Sequence, residues 1–357
     1  MIARDSRPIL ITGGAGFIGC NLADRLASEG DEIIVFDALS RPGVERNLAW
    51  LKERHGRQIS HVAGDVRDED EVARAAAAVK AVFHMAAQVA VTTSLDDPRE
   101  DFDINVRGTL NVLDAARRRS EPVPVIFAST NKVYGDLADF EIQTLHDRHE
   151  PKSFAARRGV DESRPLDFHT PYGCSKGAAD QYVLDYARSF GVPATVLRMS
   201  CIYGQRQMGT EDQGWVAHFL IRALKGEPIT LYGDGSQVRD ILDVGDAVKA
   251  YASALANIRR VSGRAFNLGG GPANAVSLLE LTDEIRRVTG RRTQLHFEDW
   301  RQGDQRWYVS DASAATHALG LKPARAWREG VAALGEWLER ESVPAMRLQP
   351  SFASAAE

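Results

Sequence analysis

A glycine-rich turn near the start of the sequence constrains the fold of this chain more than any other feature. Residues 8–12 form a short apolar run with the length of a buried parallel strand, and Gly13, Gly16 and Gly19 follow it in a Gly-x-x-Gly-x-x-Gly pattern. Apolar residues then recur at helical spacing up to Gly30, which ends the predicted helix. Because glycine has no Cβ, backbone amides in such a turn can approach a pyrophosphate at the helix N-terminus. The turn therefore predicts a dinucleotide site in an α/β protein.

An acidic residue follows at the position that a dinucleotide site requires. Residues 32–36 form a second buried strand that finishes on Asp37, 18 residues after Gly19. A carboxylate there can accept hydrogen bonds from an adenosine ribose and would repel a 2′-phosphate, which favours NAD over NADP. Arg41 lies close enough in the sequence to leave NADP open. The alternative is a glycine turn without a ligand, and the order of strand, helix, strand and acid argues against it.

Strands and helices continue to alternate after this unit. Four further runs have the length of strands, at residues 59–63, 81–84, 123–128 and 194–198. Alternating strands and helices with short connections predict a parallel, doubly wound sheet, which is the Rossmann arrangement.

The sequence also predicts how the chain divides into domains. We expect residues 1–198 to form the NAD-binding Rossmann domain, with residues 238–258 returning to it. The composition changes beyond residue 198, so we expect residues 199–340 to form mainly a smaller substrate-binding lobe. Residues 341–357 are predicted to be a mobile tail. The long polar segment 136–170 lacks periodicity, which is typical of a functional loop, and we leave open whether it is a lid or a subunit contact.

The overall composition excludes several classes of protein. A net charge of -5 with only short basic clusters argues against a nucleic-acid partner. No apolar run reaches the ~18 residues of a membrane span, and the N-terminus lacks a secretory segment, so we expect no membrane partner and a cytoplasmic location. Cys20, Cys174 and Cys201 have no metal-binding spacing and are expected to be free thiols, so no metal is predicted.

Tyr172 and Lys176 form a Tyr-x-x-x-Lys pair at the start of a predicted helix. Residues four apart lie one above the other on a helix, so we expect the Lys176 ammonium beside the Tyr172 side chain. A nearby cation favours the phenolate and would lower the pKa of Tyr172 from its ordinary value near ~10. A solvated helix face is the alternative, and the dinucleotide site upstream argues against it.

These motifs together resemble the extended short-chain dehydrogenase/reductase family, which comprises nucleotide-sugar epimerases and dehydratases. The resemblance covers about residues 8–340 and rests on residues 12–19, Asp65, the Tyr172/Lys176 pair and residues 238–240. It implies a Rossmann domain with tightly bound NAD, a nucleotide-sugar-binding lobe and assembly into a homodimer or homotetramer. Within the family, residues 129–136, 166–182 and 304–306 are similar to the CDP-paratose 2-epimerase subfamily, which implies a CDP-sugar substrate inverted at C2.

The strand ends and the resemblance assign residues to each part of the site. Thr130 is implied to assist Tyr172 and Lys176 in catalysis by carrying a proton, although a threonine at a strand end is often only a turn residue. The cofactor residues are Gly13, Gly16, Phe17, Ile18, Gly19, Asp37, Ser40, Arg41, Asp65, Val66, Ala86, Ala87, Gln88, Asn105, Ser129, Tyr172 and Lys176. The substrate residues are Gln88, Thr130, Asn131, Arg206, Gln213, Arg239 and Arg306, with the three arginines chosen because a guanidinium matches phosphate oxygens in pairs.

Other reactions of the same family are alternatives. A 4,6-dehydratase needs an acid and a base, which the family places directly after the threonine as Asp-Glu. Asn131 and Lys132 occupy those positions here, and an asparagine cannot exchange a proton at neutral pH, so we expect no dehydratase activity. A 4-epimerase or a decarboxylase stays open. A non-catalytic NAD-binding regulator is disfavoured because Thr130, Tyr172 and Lys176 are all present.

Overall fold

The computed structural model describes residues 5–347, which are built around a seven-stranded parallel sheet. The strands are β1 (Ile9–Thr12), β2 (Ile33–Phe36), β3 (Ile59–Val62), β4 (Ala81–His84), β5 (Val125–Thr130), β6 (Ile142–Leu145), β7 (Arg148–Pro151), β8 (Ala194–Met199), β9 (Cys201–Tyr203), β10 (Ile229–Tyr232), β11 (Val238–Asp243), β12 (Arg264–Leu268), β13 (Ala275–Ser277), β14 (Leu295–Glu298) and β15 (Trp307–Tyr308).

Helices cover both faces of this sheet and form part of a second lobe. They are α1 (Phe17–Ser28), α2 (Val44–His55), α3 (Glu69–Ala76), α4 (Val91–Asp96), α5 (Pro98–Phe102), α6 (Gly108–Arg117), α7 (Thr170–Phe190), α8 (Trp215–Lys225), α9 (Val244–Ala256), α10 (Ile258–Val261), α11 (Leu278–Thr289), α12 (Ser313–Leu319) and α13 (Trp327–Arg347). A π-helical segment, Asp103–Arg107, joins α5 to α6, and short 3-10 turns lie at Gly56–Gln58, Asn131–Tyr134, Ala156–Arg158 and Pro272–Asn274.

The central sheet has the strand order β12-β8-β5-β4-β1-β2-β3, with every pair parallel. All residues of β1, β4 and β5 are buried, as expected for strands covered by helices on both faces. The strand order reverses between β1 and β4, and ligands of doubly wound sheets bind outside the carboxyl ends of the strands at such a point. The predicted fold class, a doubly wound parallel sheet with an additional lobe, is therefore confirmed.

The chain forms part of the second lobe and then returns to the central sheet. β12 pairs with β8 at the sheet edge, and α9 packs beside α1 in the same hydrophobic core. The sequence analysis placed residues 238–258 here but did not assign β12 to the sheet.

The second lobe has its own core between helices α8, α11 and α13 and the sheet formed by β9, β11, β13 and β15. β11 pairs with β13 and β15 through its first half and with β9 through its second half, so it links the lobe to the first domain. Within the lobe, a capping box of Ser277 and Glu280 begins α11. The base of the lobe lies over the carboxyl ends of the central strands.

The structure describes segment 136–170 and the start of the tail 341–357, which the sequence analysis treated separately. The long segment 136–170 contains the antiparallel hairpin of β6 and β7, so it is more ordered than its lack of periodicity indicated. Of the tail predicted to be mobile, residues 341–347 belong to α13, and the remaining residues lie outside the described part of the chain. Among the helices described, none is long and apolar enough to cross a bilayer.

Candidate active site

The glycine turn after β1 packs tightly against neighbouring backbone. Gly13 has φ +65°, and a Cβ at this position would lie 2.7 Å from the Ala86 nitrogen beyond the end of β4. A Cβ on Gly19 would collide with the Gly13 carbonyl oxygen. Gly16 caps the N-terminus of α1, which begins at Phe17. Larger residues at Gly13 or Gly19 would therefore displace the turn from the N-terminus of α1, which is where a pyrophosphate would bind.

The predicted ribose-binding acid lies against this turn. Asp37 follows β2, and its carboxylate accepts hydrogen bonds from the Ala15 amide at 2.9 Å and the Leu39 amide at 2.8 Å. Ser40 and Arg41 are exposed on the loop that follows. The backbone thus holds a negative charge beside the glycine turn, and this arrangement suits two ribose hydroxyls better than a 2′-phosphate.

The residues beyond β3 are held by their own neighbours. Arg67 donates two side-chain hydrogen bonds to one oxygen of Asp65, and this pairing lowers the pKa of Asp65. Val66 is buried against Gly108, where a Cβ would lie 2.7 Å from its side chain. Gly108 therefore lets α6 pack closely against the loop after β3.

The loop after β4 is tied to the π-helical segment. The Ala86 amide donates to the Thr12 hydroxyl at 3.2 Å, and Ala87 follows it in the loop. The Gln88 side chain donates to the Ala90 carbonyl and to Asp101, and it accepts from the Ala90 amide. Both ends of the Gln88 amide therefore hold the loop, and the assignment of Gln88 to the cofactor and substrate sites stays a prediction.

Asp101 is a buried acid that the sequence analysis missed. Its Oδ1 accepts from Gln88 at 3.0 Å and from Asn105 at 3.2 Å, and Asn105 also donates to the Ser175 hydroxyl on α7 at 3.0 Å. Burial raises the pKa of Asp101. Its spacing of four from the predicted cofactor residue Asn105 was the available sequence signal.

Tyr172 lies buried at the start of α7, near the Thr130 hydroxyl at the end of β5. Burial raises the pKa of Tyr172 to about 12, whereas the Thr130 hydroxyl acts in the opposite direction. Lys176 is not among the groups that shift the pKa of Tyr172. The prediction was that the Lys176 ammonium and a cofactor charge together lower that pKa. It stays a prediction, because among the groups of the protein itself desolvation of the phenolate dominates.

Lys176 points along the end of β5 instead. Its Nζ donates to the Ala128 carbonyl at 2.7 Å and lies 4.2 Å from the centroid of the Phe127 ring. Burial lowers the pKa of Lys176 to about 7, against the opposing charges of Asp180 and Asp101. The ammonium is thus poised to lose its proton near neutral pH.

A buried ion pair supports this region from behind. Arg198 on β8 donates two hydrogen bonds of 2.9 Å to Asp180 on α7, and it also donates to the Tyr134 hydroxyl. The predicted cofactor residue Ser129 donates to the same Asp180 at 2.8 Å. This network fixes α7 against β5, and so it fixes Tyr172 and Lys176 relative to the strand end.

The predicted substrate residues after Thr130 contact a loop of the second lobe. Asn131 donates to the Gln305 side chain at 3.1 Å, and Arg239 on β11 donates to Asp304 at 2.5 Å. Arg306 is exposed, with its guanidinium 5.3 Å from the centroid of the Trp300 ring. Arg306 and Asp304 also line an open cavity of about 420 Å³ beside the start of segment 136–170. The structure thus brings Asn131, Arg239 and Arg306 to one side of the site.

Two other predicted substrate residues have different surroundings. The Arg206 guanidinium lies 4.2 Å from the centroid of the Trp50 ring and 5.4 Å from that of Trp337. The charge of Arg206 thus lies between two aromatic rings that join the domains, and its assignment to the substrate phosphate stays a prediction. Gln213 exchanges backbone hydrogen bonds with Thr210 in a turn before α8.

Taken together, these residues fit a dinucleotide. The glycine turn packs against the Ala86 backbone, and the Asp37 carboxylate is held by the Ala15 amide of the same turn. The Thr130–Tyr172 pair lies at the end of β5, next to β4 in the sheet, so a proton could pass between these hydroxyls and a substrate held there.

Known proteins share this arrangement over nearly the whole chain. A sequence profile of the NAD dependent epimerase/dehydratase family matches residues 9–269. A CDP-paratose 2-epimerase from Salmonella typhi is 44% identical over 339 residues, covering 92% of this chain and 98% of that protein. A dTDP-glucose 4,6-dehydratase from Xanthomonas campestris pv. campestris is 32% identical, covering 92% of each chain. The structure of a UDP-glucose 4-epimerase from Thermus thermophilus in complex with NAD superposes with a TM-score of 0.78 at 30% identity, covering 93% of this chain and 99% of that one.

Proposed function

The chain belongs to the NAD-dependent epimerase/dehydratase family, and on that premise we propose that it is a nucleotide-sugar epimerase acting at C2 of CDP-paratose. The 44% identity to the Salmonella typhi CDP-paratose 2-epimerase supports the sugar and the carbon. The observation that carries the proposal is the buried Tyr172 near the Thr130 hydroxyl, at the carboxyl end of the sheet that also carries the glycine turn.

NAD is the proposed cofactor, held by the glycine turn, Asp37 and Lys176. The Asp37 carboxylate beside the Ala15 amide supports NAD over NADP. When bound, NAD supplies reversible hydride transfer at one sugar carbon and a positive ring charge that favours a nearby phenolate. The buried position of Tyr172 keeps that charge effect strong because little water screens it.

In the proposed mechanism the side chains of this protein move one proton and orient the sugar. Tyr172 takes the proton of the sugar hydroxyl, and Thr130 stabilises the tyrosine oxygen through their hydrogen bond. The buried location keeps this proton from bulk water. After the sugar turns over in the pocket, Tyr172 returns the proton to the hydroxyl of the inverted carbon.

A dehydratase function is disfavoured by the contacts after Thr130. Asn131 donates to Gln305, and Lys132 donates to the Gly303 carbonyl at 2.9 Å. Neither side chain has a carboxyl group, so the carboxyl pair needed for elimination of water is absent at these two positions. A 4-epimerase is the second candidate, since the Thermus thermophilus enzyme shares the fold, and the substrate panel below distinguishes it.

We also propose that two copies pair through α5 and α7. Phe102 on α5 is 54% exposed and Phe190 on α7 is 46% exposed, although each is a large apolar side chain. A homodimer or homotetramer would cover them, and analytical ultracentrifugation should show either species. Cys20, Cys174 and Cys201 are free, which supports the reducing cytoplasm as the proposed location.

A substrate panel tests the proposed function. The purified protein is incubated with CDP-, UDP-, GDP- and dTDP-sugars, and products are identified by NMR. We expect conversion of CDP-paratose to CDP-tyvelose and release of NAD when the protein is heated. Tyr172→Phe should abolish turnover, whereas the control Tyr182→Phe, on the exposed face of the same helix, should leave it unchanged. Turnover by Tyr172→Phe at the normal rate would contradict the proposal.

A further inference from the structure

A cluster of charges joins the turn after Thr130 to the second lobe. Lys132 donates from Nζ to the Gly303 carbonyl at 2.9 Å, and the same Nζ lies 3.9 Å from Asp304 Oδ1. Arg239 donates from Nη2 to that same oxygen at 2.5 Å. Two cations from different domains therefore converge on one carboxylate oxygen.

This cluster carries excess positive charge in a partly desolvated place. The Arg239 side chain is 8% exposed, and those of Lys132 and Asp304 are 21% and 25% exposed. Burial lowers the pKa of Lys132, and the charge of Arg239 lowers it further. One carboxylate balances only one of the two cations. The remaining net charge of about +1 favours binding of an anionic diphosphate.

The cluster also lies next to the proposed catalytic pair. The Lys132 amide donates to the Thr130 hydroxyl at 3.2 Å. A Cβ on Gly173, the neighbour of Tyr172, would lie 3.3 Å from the Lys132 carbonyl oxygen, and one on Gly303 would lie 2.6 Å from the Thr170 side chain. In a nucleotide sugar the diphosphate is bonded directly to the sugar ring, so a sugar at Tyr172 brings its diphosphate close to this cluster.

We propose that Lys132 is a diphosphate-binding residue and that Asp304 is an internal counter-ion, which holds Lys132 and Arg239 together until the substrate diphosphate replaces it. The inference rests on the proposed function, because it takes a nucleotide sugar as the substrate. Arg239 and Arg306 were already predicted from the sequence to bind phosphate, and the assignments of Lys132 and Asp304 are new. In the substrate-free protein Asp304 limits repulsion between the two cations, and the exchange leaves them paired with phosphate oxygens.

Binding of CDP and CMP to the purified holoenzyme, measured by isothermal titration calorimetry, tests this assignment. Lys132→Met should weaken CDP binding by at least about tenfold and change CMP binding little, because the cluster recognises the second phosphate. Lys132→Arg should restore most of the CDP affinity. Asp304→Asn should tighten CDP binding several-fold, because it removes the competing carboxylate and keeps a hydrogen-bond acceptor for the Gln305 amide. Lys152→Met, at an exposed lysine, is the matched control.

Other outcomes would overturn the inference. If Lys132→Met binds CDP like the wild type, or loses CDP and CMP affinity equally, then Lys132 only joins the two loops. If Asp304→Asn weakens CDP binding, Asp304 is not a competing counter-ion. If the wild type turns over nucleotide sugars and Lys132→Met has the same KM as the wild type, this inference is refuted and the proposed function is not. A protein that binds CDP through Lys132 but inverts no sugar refutes the proposed function alone.

Discussion

Replacing Lys176 with methionine tests whether the buried ammonium destabilises the fold. Burial lowers the pKa of Lys176 from 10.5 to about 7, so between these values the folded protein binds fewer protons at this side chain than the unfolded chain. Stability rises with pH wherever the unfolded chain binds more protons. The difference of about 3.5 in pKa corresponds to about 5 kcal/mol of destabilisation, which is complete below about pH 7 and gone above pH 10.5.

Lys176→Met removes the titrating group and keeps the apolar stem of the side chain. It loses the hydrogen bond to the Ala128 carbonyl and the contact with the Phe127 ring, and these losses depend little on pH. The free energy of unfolding of the variant relative to wild type should therefore fall by about 3 kcal/mol between about pH 6 and pH 9. Titrations of groups that the charge of Lys176 does not influence are common to both proteins and cancel in the difference.

Reversible denaturant unfolding of the cofactor-free proteins, at several values between pH 6 and pH 9, measures this difference. Lys249→Met is the control, because that lysine is on α9 with its side chain 57% exposed, and it should track the wild type throughout. A difference between Lys176→Met and wild type that stays constant across the range would refute the reasoning. It would mean that the ammonium is solvated in the folded protein.

Three further substitutions address other parts of the site. Gly19→Ala should reduce the NAD that co-purifies with the protein by at least about tenfold, because its Cβ would collide with the Gly13 carbonyl; full cofactor content after heat release would contradict this. Thr130→Val should lower kcat by about 10²–10⁴-fold and move the pH profile of kcat upward, because the hydrogen bond that favours the phenolate is lost; an unmoved profile would show that the hydroxyl only shapes the turn. Arg206→Met should lower the free energy of unfolding by about 1–2 kcal/mol through loss of two aromatic contacts and leave KM unchanged, whereas a raised KM would return this arginine to the substrate site.

The sequence predicted most strands of the central sheet from short runs rich in apolar residues, including the partly exposed edge strand β3. β12 was missed because its run contains Arg264 and Asn267. Asn267 is fully buried, and its side chain accepts from the Tyr134 hydroxyl and donates to the Val160 carbonyl. Those partners lie more than 100 residues away in the sequence. Local hydrophobic patterning cannot anticipate a polar strand residue that is satisfied by such distant contacts.

Prediction of the site was limited by the same lack of long-range information. The spacing of Tyr172 and Lys176 places them on one helix face, but it does not show that the ammonium turns to the Ala128 carbonyl. Nor does a four-residue spacing show how strongly burial opposes ionisation of the phenol. Arg206 was chosen for its chemistry, and only the folded chain shows the aromatic rings on either side of it. Residue type and spacing thus predict which groups are available, and packing decides their partners and charge.

In the proposed reaction, one sugar carbon is oxidised and then reduced at the same site beside Tyr172. Turnover in deuterated water, with NMR analysis of C2 in both the product and the recovered substrate, tests this reaction. We predict inversion at C2 without incorporation of deuterium at that carbon, because the hydride leaves and returns without exchange with solvent. Deuterium at C2 of the inverted sugar would contradict the account, because it would show a proton-exchange route that needs no hydride transfer.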